Sequence, residues 1–232
     1  MPALIAKDVL ERAQTLLQDP NGTHWPLPEL ASALNDALLE ICLTKPSACA
    51  ETVVLSLQEG TWQTLDAGQT QLLRVVRNIT SGAGDAVRTS NLAITPIERD
   101  ALDNQIPDWH DATRHPASAT VLHVMTDPMN PTDFYVYPAN DGNGQIEAMV
   151  AVEPTSVSIP GVGPDVLTNY TDEVDISPIY KSALIDYILY QSHAKDMQMA
   201  GASQRAMAHY QSFLSKLGVR RKVEAVATPD SA

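Results

Sequence analysis

Little in this sequence can staple, metallate or activate. It has two cysteines, Cys42 and Cys49. With no close histidine pair, two thiols do not make a zinc site. Their spacing permits a disulfide, yet on a cytoplasmic route both are expected to remain free thiols. No apolar run approaches ~18 residues, so no membrane span is expected. The N-terminal run Met1-Pro2-Ala3-Leu4-Ile5-Ala6-Lys7-Asp8 lacks a basic region followed by a long apolar stretch. It does not read as a signal peptide, and a cytoplasmic route of synthesis and action is expected. No internal repeat is visible. What the chain does have is 232 residues at 44% hydrophobic content, ample for one large domain or a core carrying an insert.

Motifs for chemistry are equally scarce. Asp141-Gly142-Asn143-Gly144-Gln145-Ile146 resembles the centre of a calcium loop. In that register the first and twelfth positions are Ala139 and Val150, where oxygen ligands are required, so a hairpin turn is the expectation. Gly82-Ala83-Gly84-Asp85 lacks a third glycine and a Walker lysine, so it is no phosphate loop. Asp108, His110, Asp111 and His115 gather around Trp109, but their spacing matches no helical or strand metal geometry. They read as a solvated loop. No nucleophile motif supports a Ser/His/Asp set. The expectation is no catalytic residue, no cofactor and no metal.

Periodicity places helices at the two ends and strands between them. Residues 3–18 repeat apolar side chains at helical spacing through Val9, Leu10, Ala13, Leu16 and Leu17, then stop at Asp19-Pro20-Asn21-Gly22. A second helix starts near Leu27-Pro28-Glu29, carries Leu30, Leu34, Ala37, Leu38 and Ile41, and ends before Pro46. Trp25, between them, could wedge the pair together. Strands are expected over 51–57, 72–80, 120–125, 133–137 and 145–152, the last two as a hairpin through 138–144. Thr95-Pro96-Ile97-Glu98 reads as a capping box opening a short helix to about Asn104. Residues 154–175 are a Pro/Gly/Ser/Thr-rich linker. Ser177-Pro178 then opens a helix with Tyr180, Leu184, Tyr187, Ile188 and Gln191 on one face. Ala200-Gly201 breaks or kinks it, and Met207, Tyr210, Phe213, Leu214 and Leu217 line the last helix before the Gly218 stop.

The fold expected is therefore α+β. Helix pairs at residues 1–48 and 177–218 form one bundle, a β-rich insert fills 49–176, and 219–232 is a flexible tail. Charge follows the same division. The formal net charge is −13. Residues 46–176 carry 5 basic and 18 acidic groups, whereas residues 177–232 carry 7 and 4. Such an acidic middle repels phosphate and disfavours specific nucleic-acid binding, though solubility alone would explain it equally well. Lys216, Arg220, Arg221 and Lys222 are the one basic cluster. It reads as a helix end complementing the helix dipole, a tail docking on an acidic partner, or a weak DNA contact.

Two stretches carry a family resemblance. One is the run 9–19 (VLERAQTLLQD) with Gly22-Thr23-His24-Trp25-Pro26, Glu29-Leu30, Leu34-Asn35-Asp36-Ala37 and Lys45-Pro46. The other is the run 180–190 (YKSALIDYILY) with Lys195-Asp196, Ala200-Gly201 and Ala208-His209-Tyr210-Gln211-Ser212-Phe213. Together they resemble the head-to-tail adaptor, or connector, proteins of tailed bacteriophages. The resemblance implies a non-enzymatic virion protein that forms a ring of about twelve copies beneath the portal protein, a closed heterologous assembly. It implies an extended DNA channel through which DNA passes without specific binding. It also implies a docking platform for a downstream tail or nozzle protein. Arg220, Arg221 and Lys222 would suit a segment reaching into the portal. The competing readings are another ring-forming virion part, such as a stopper or tail-completion protein, and a non-enzymatic acidic binding module.

Overall fold

The computed structural model describes residues 3–81, 89–196 and 201–218, with side chains for all of these but 80–81 and 89–91. The protein is mixed α+β. In chain order the elements are α1 (Ala6–Leu17), α2 (Leu27–Thr44), β1 (Ala50–Ser56), β2 (Gly60–Thr64), β3 (Gln69–Ser81), β4 (Thr89–Ala93), β5 (Thr95–Pro96), α3 (Arg99–Gln105), β6 (His123–Asp127), β7 (Asn130–Asn140), β8 (Gln145–Val152), α4 (Lys181–Lys195) and α5 (Ala202–Leu217). The chain divides into two compact units. One is Met1–Ala48 with Pro154–Ala232, and the other is Cys49–Glu153.

In the first unit, α1, α2, α4 and α5 contribute to one apolar core. Helix α1 starts later than its apolar spacing suggests, because Leu4 and Ile5 pair with the returning chain, which also accepts from the free first-turn N–H groups of α1. Val174 N–H donates to Leu4 O (2.7 Å), Ala6 N–H to Asp172 O (3.0 Å) and Lys7 N–H to Tyr170 O (3.1 Å). The buried stripe is Ala6, Val9, Leu10, Ala13 and Gln14; Leu16, expected in it, is exposed. Asp19 organises the α1–α2 turn. Its carboxylate accepts from the N–H groups of Thr23 (2.9 Å), His24 (2.7 Å) and Trp25 (2.7 Å). Those bonds, the one from Trp25 foremost, hold its pKa below the ordinary carboxylate value. They also seat Trp25, buried, in the core.

Residues 154–176 belong with the helices, not with the sheets. Val157, Tyr170 and Val174 enter the helical core. Asn35 of α2 grips Val157 at both backbone groups, accepting from its N–H (2.8 Å) and donating to its carbonyl (3.0 Å). The expected cap at Ser177 makes no side-chain bond; Pro178–Tyr180 form a short 3-10 turn that leads into α4. Gly201 (φ 82°) separates α4 from α5, and Gly218 (φ 78°) ends α5. Both positions need the left-handed conformation that glycine adopts without strain. On α5 the buried side chains are Ala202, Ala206, Phe213 and Leu217; Met207 is exposed, against expectation. Cys42 and Cys49 are disulfide-bonded, which corrects the expectation of free thiols. A 3-10 turn at Pro46–Cys49 folds the chain back just after α2 ends. Compartment was the wrong guide to this pair, because local backbone geometry decides whether two nearby sulfurs can meet.

The second unit holds two four-stranded sheets, ordered β1-β8-β3-β4 and β2-β7-β6-β5. They share one core, to which Leu55, Leu72, Val75, Ile146, Ala148 and Val150 contribute from one sheet and Val124, Phe134 and Val136 from the other. The alternation of a half-buried strand is visible in β7, where Phe134 and Val136 face inward and Tyr135 and Tyr137 outward. The capping box expected at Thr95 is not formed. Thr95 and Pro96 instead pair in parallel with β6, with Thr95 N–H donating to Leu122 O and Ile97 N–H to Val124 O, both at 3.0 Å. Sheet bonds take the backbone groups that a cap would have used, and α3 starts only at Arg99.

Nor do β7 and β8 form the expected hairpin, since they lie in different sheets. The connection is fixed by Asn140, fully buried, which accepts from Gly142 N–H (2.9 Å) and Gly144 N–H (3.2 Å) and donates to Ser118 O (3.1 Å). Gly144 is required by close approach: a Cβ there would stand 2.1 Å from Asn140 Nδ2 and 2.7 Å from Ala119 O. Gly144→Ala is expected to destabilise the sheet unit by about 2–3 kcal/mol, by forcing Asn140 away from its buried partners. Urea unfolding checks this; a loss under ~0.5 kcal/mol would show that the turn relaxes freely.

Candidate interaction surfaces

Helix α4 fixes the geometry of the helical unit. Seven consecutive residues from Ala183 to Leu189 are buried, so it has no solvent face over two turns. It touches α1, α2 and α5. A helix apolar on all sides is a central element. Its aromatic residues interlock with those of α5: Tyr187 lies 5.1 Å from Phe213 and Tyr190 lies 4.9 Å from Tyr210, centroid to centroid. The tyrosine-rich stripe is core.

One charge sits within that stripe. Asp186, 8% exposed, faces α5. Lys216 Nζ lies 2.5 Å from its Oδ2 and also donates to Ser182 O at 3.2 Å. His209 Nδ1 is 3.4 Å from Oδ1, and the His209 ring stacks on His193 at 5.6 Å. Burial above all, then the neighbouring His209 and Arg205, pushes the His193 pKa down. Lys216, read from sequence with the basic cluster, is thus committed to helix packing. The other members, Arg220, Arg221 and Lys222, lie outside the described residues, as does the expected flexible tail at 219–232. Removing one partner of a buried pair strands the other. With Lys216 partly solvated, Lys216→Met is expected to cost about 2 kcal/mol of helical-unit stability. Denaturant titration checks it, and no loss would mean that water already screens the pair.

The outer face of β6 and β7 carries a small second core of Leu102, Trp109 and Met125, with Tyr135 and Tyr137 packed against it. Trp109 is fully buried, and its Nε1–H donates to Asp103 Oδ1 at 2.7 Å. His110 stacks on Trp109 at 3.6 Å and shares a 2.8 Å hydrogen bond with Thr61. Asp108 takes Arg114 at 2.7 Å and His115 at 3.0 Å. The segment is a loop exposed from His110 to Arg114, as expected, and it is braced by the buried Trp109. A lone Trp in a polar, Pro-flanked run was the available signal. Its four titratable residues brace the loop and do not converge; among the described residues no group of three His, Cys, Asp or Glu could hold a metal. The turn at Asp141 is shaped by Asn140 and by an Asp141 Oδ1 bond to Asn143 N–H (3.0 Å). The Gly82–Asp85 motif lies outside the described residues.

The Arg114 hydrogen bond first, then the one from His115, draws the Asp108 pKa down to about 2. A depressed carboxylate stabilises the fold above its unfolded pKa, and that contribution is lost as pH falls through the folded value. Carboxyl NMR titration should show Asp108 ionised down to about pH 2, and Arg114→Ala should move it toward the ordinary 3.8. A midpoint near 3.8 in the unaltered protein would contradict the pairing.

Among the described residues no helix is long and apolar enough to cross a membrane. The family model described as SU10 adaptor protein matches residues 5–231. No curated relative matches the chain. The match runs through both helical ends and the sheets between them, so the chain belongs to the SU10 adaptor protein family, which makes it a bacteriophage head-to-tail adaptor and a structural protein of the virion.

Proposed function

We propose that copies of this protein close into a ring beneath the portal, extend the DNA channel and form the platform on which the tail docks. The observation that carries this reading is the family match over residues 5–231. Two features support it. The helices of the two chain ends share one core, a rigid body suited to side-by-side packing. We read it as a bundle of N-terminal and C-terminal helix pairs, with the sheet unit as the insert between them. The sheet unit carries 14 acidic against 5 basic groups, and an acidic channel wall would let DNA pass without retaining it. Around a ring every copy uses the same two unlike surfaces, so the interface is heterologous and closes by rotation.

In this reading Arg220, Arg221 and Lys222 dock on the portal and a tail or nozzle protein binds the opposite side. No cofactor, metal or catalysis takes part. Assembly happens in the host cytoplasm, before or during attachment to the head. Mixing the purified protein with the portal of the same genome is expected to add a mass of about twelve chains, read by mass photometry or native mass spectrometry. Deleting residues 219–232 is expected to leave the circular dichroism unchanged and to weaken that attachment. Failure to bind the portal across several salt concentrations would overturn the adaptor role, and unchanged attachment of the deletion would remove the docking role of the basic segment.

A further inference from the structure

The contact between α4 and α5 holds two histidines at a place where added protons upset the balance of charge. His193 lies in the last turn of α4, and His209 lies halfway along α5. Their rings stack, with centroids 5.6 Å apart and planes 19° apart. Both side chains are half-buried. Neutral imidazoles stacked in this way attract as other aromatic pairs do. Two imidazolium rings at the same distance repel, and partial burial removes water that would screen them. Histidine is also the side chain whose charge changes just below neutral pH.

The charges around the pair decide which proton is tolerated. From α5 come Arg205 and Lys216, and from α4 come Asp186 and, at its C-terminal cap, Asp196. Asp186 faces Lys216 through Oδ2 (2.5 Å) and His209 through Oδ1 (3.4 Å). Asp196 lies 3.6 Å from His24 of the α1–α2 turn. On α2, Glu29 is bonded to Lys195, and Asp36 and Glu40 lie near Tyr187. The charged groups of α1 that face α4, Asp8, Glu11 and Arg12, stand at its other end beside Lys181. A proton on His209 therefore meets the Asp186 carboxylate. A proton on His193 meets Arg205 and, once that ring is charged too, His209. Among the described residues Asp196 is the acid that favours it, and Asp196 also faces His24.

We infer that the His193–His209 stack is a proton-sensitive fastening of α5 on α4, closed while both rings are neutral and loosened once both are charged. This goes beyond the ring reading and does not depend on it. The sign follows from His193. Burial first, then His209 and Arg205, holds its pKa in the folded protein below the ordinary 6.5. The unfolded chain therefore takes up this proton at a higher pH than the folded one. The contribution of the stack is whole above about pH 6.5 and is lost as pH falls through the folded value. The aromatic contacts Tyr187–Phe213 and Tyr190–Tyr210 lie in the same interface and report its loosening.

Histidine ring NMR titration of the full-length protein reads the pair directly. His193 is expected to titrate below 6.5, and His209→Gln to move its midpoint upward. A His193 midpoint at or above 6.5, or one that His209→Gln leaves in place, overturns the inference. Because the first of these readings uses the unaltered protein, it decides even where a variant fails to fold. The mechanical consequence is read by urea unfolding at pH 7 and pH 5, followed by near-ultraviolet circular dichroism of the aromatic interface. The comparison is with His193→Phe, which keeps a stacked ring and removes the proton. The folding constant of the unaltered protein, divided by that of the variant, is expected to fall about fivefold from pH 7 to pH 5. The carboxylates and the other histidines titrate in both proteins and largely cancel in that ratio. A ratio independent of pH would mean that the stack is packing alone.

Discussion

A helix buried on every side cannot be satisfied by its neighbours in sequence alone. Over Ala183–Leu189, α4 has no face left for solvent, and α5 covers only part of it. The remainder is covered by α1 and α2, supplied from the opposite end of the chain. The two ends of the chain therefore share one core, and the sheets between them form another. The sheet unit has an inner core shared by its two sheets and a satellite core around Trp109. A structure that keeps its two ends in one body can carry a middle region whose surface charge is set by a different demand.

Polar side chains do much of the fixing where the chain changes direction. Asp19 binds three successive N–H groups and so delivers Trp25 to the helical core. Asn35 holds the returning segment at Val157, and Asn140 carries the chain from one sheet to the other. Each is a short side chain that replaces backbone partners lost at a turn, where an unpaired buried group would be costly. The Asp186–Lys216 pair differs, because it fastens two helices across an otherwise aromatic contact.

Legibility in the sequence followed the range of the interactions involved. The spacing of Leu30, Leu34, Ala37, Leu38 and Ile41 marks a helix face within one turn of each residue, and α2 lies where that spacing puts it. Strands β1, β3 and β8 were visible for the same reason, as local runs of β-branched and apolar residues. What failed depended on distant partners. Thr95 has the local pattern of a cap, but Leu122 and Val124 claim its neighbourhood for a sheet edge. Met207 and Leu16 continue apolar patterns that tertiary packing leaves in solvent. The hairpin expected at 138–144 failed because pairing between sheets has no signature in the turn itself. The short strand β2, Gly60–Thr64, was missed because two threonines and a glutamine around one Trp give little apolar signal. As for the site, the acidic middle and the family resemblance could be read directly, whereas the His193–His209 stack depends on α5 folding back against α4.

The central physical claim is that both ends of the chain form one cooperative body around α4. Hydrogen exchange of the full-length protein, resolved by residue, measures this most directly. The account predicts that the slowest amides of α1, α2, α4 and α5 open together, with one shared free energy and one shared denaturant dependence. A first helix pair that opens well before α4 and α5, with its own shallower denaturant dependence, would contradict it.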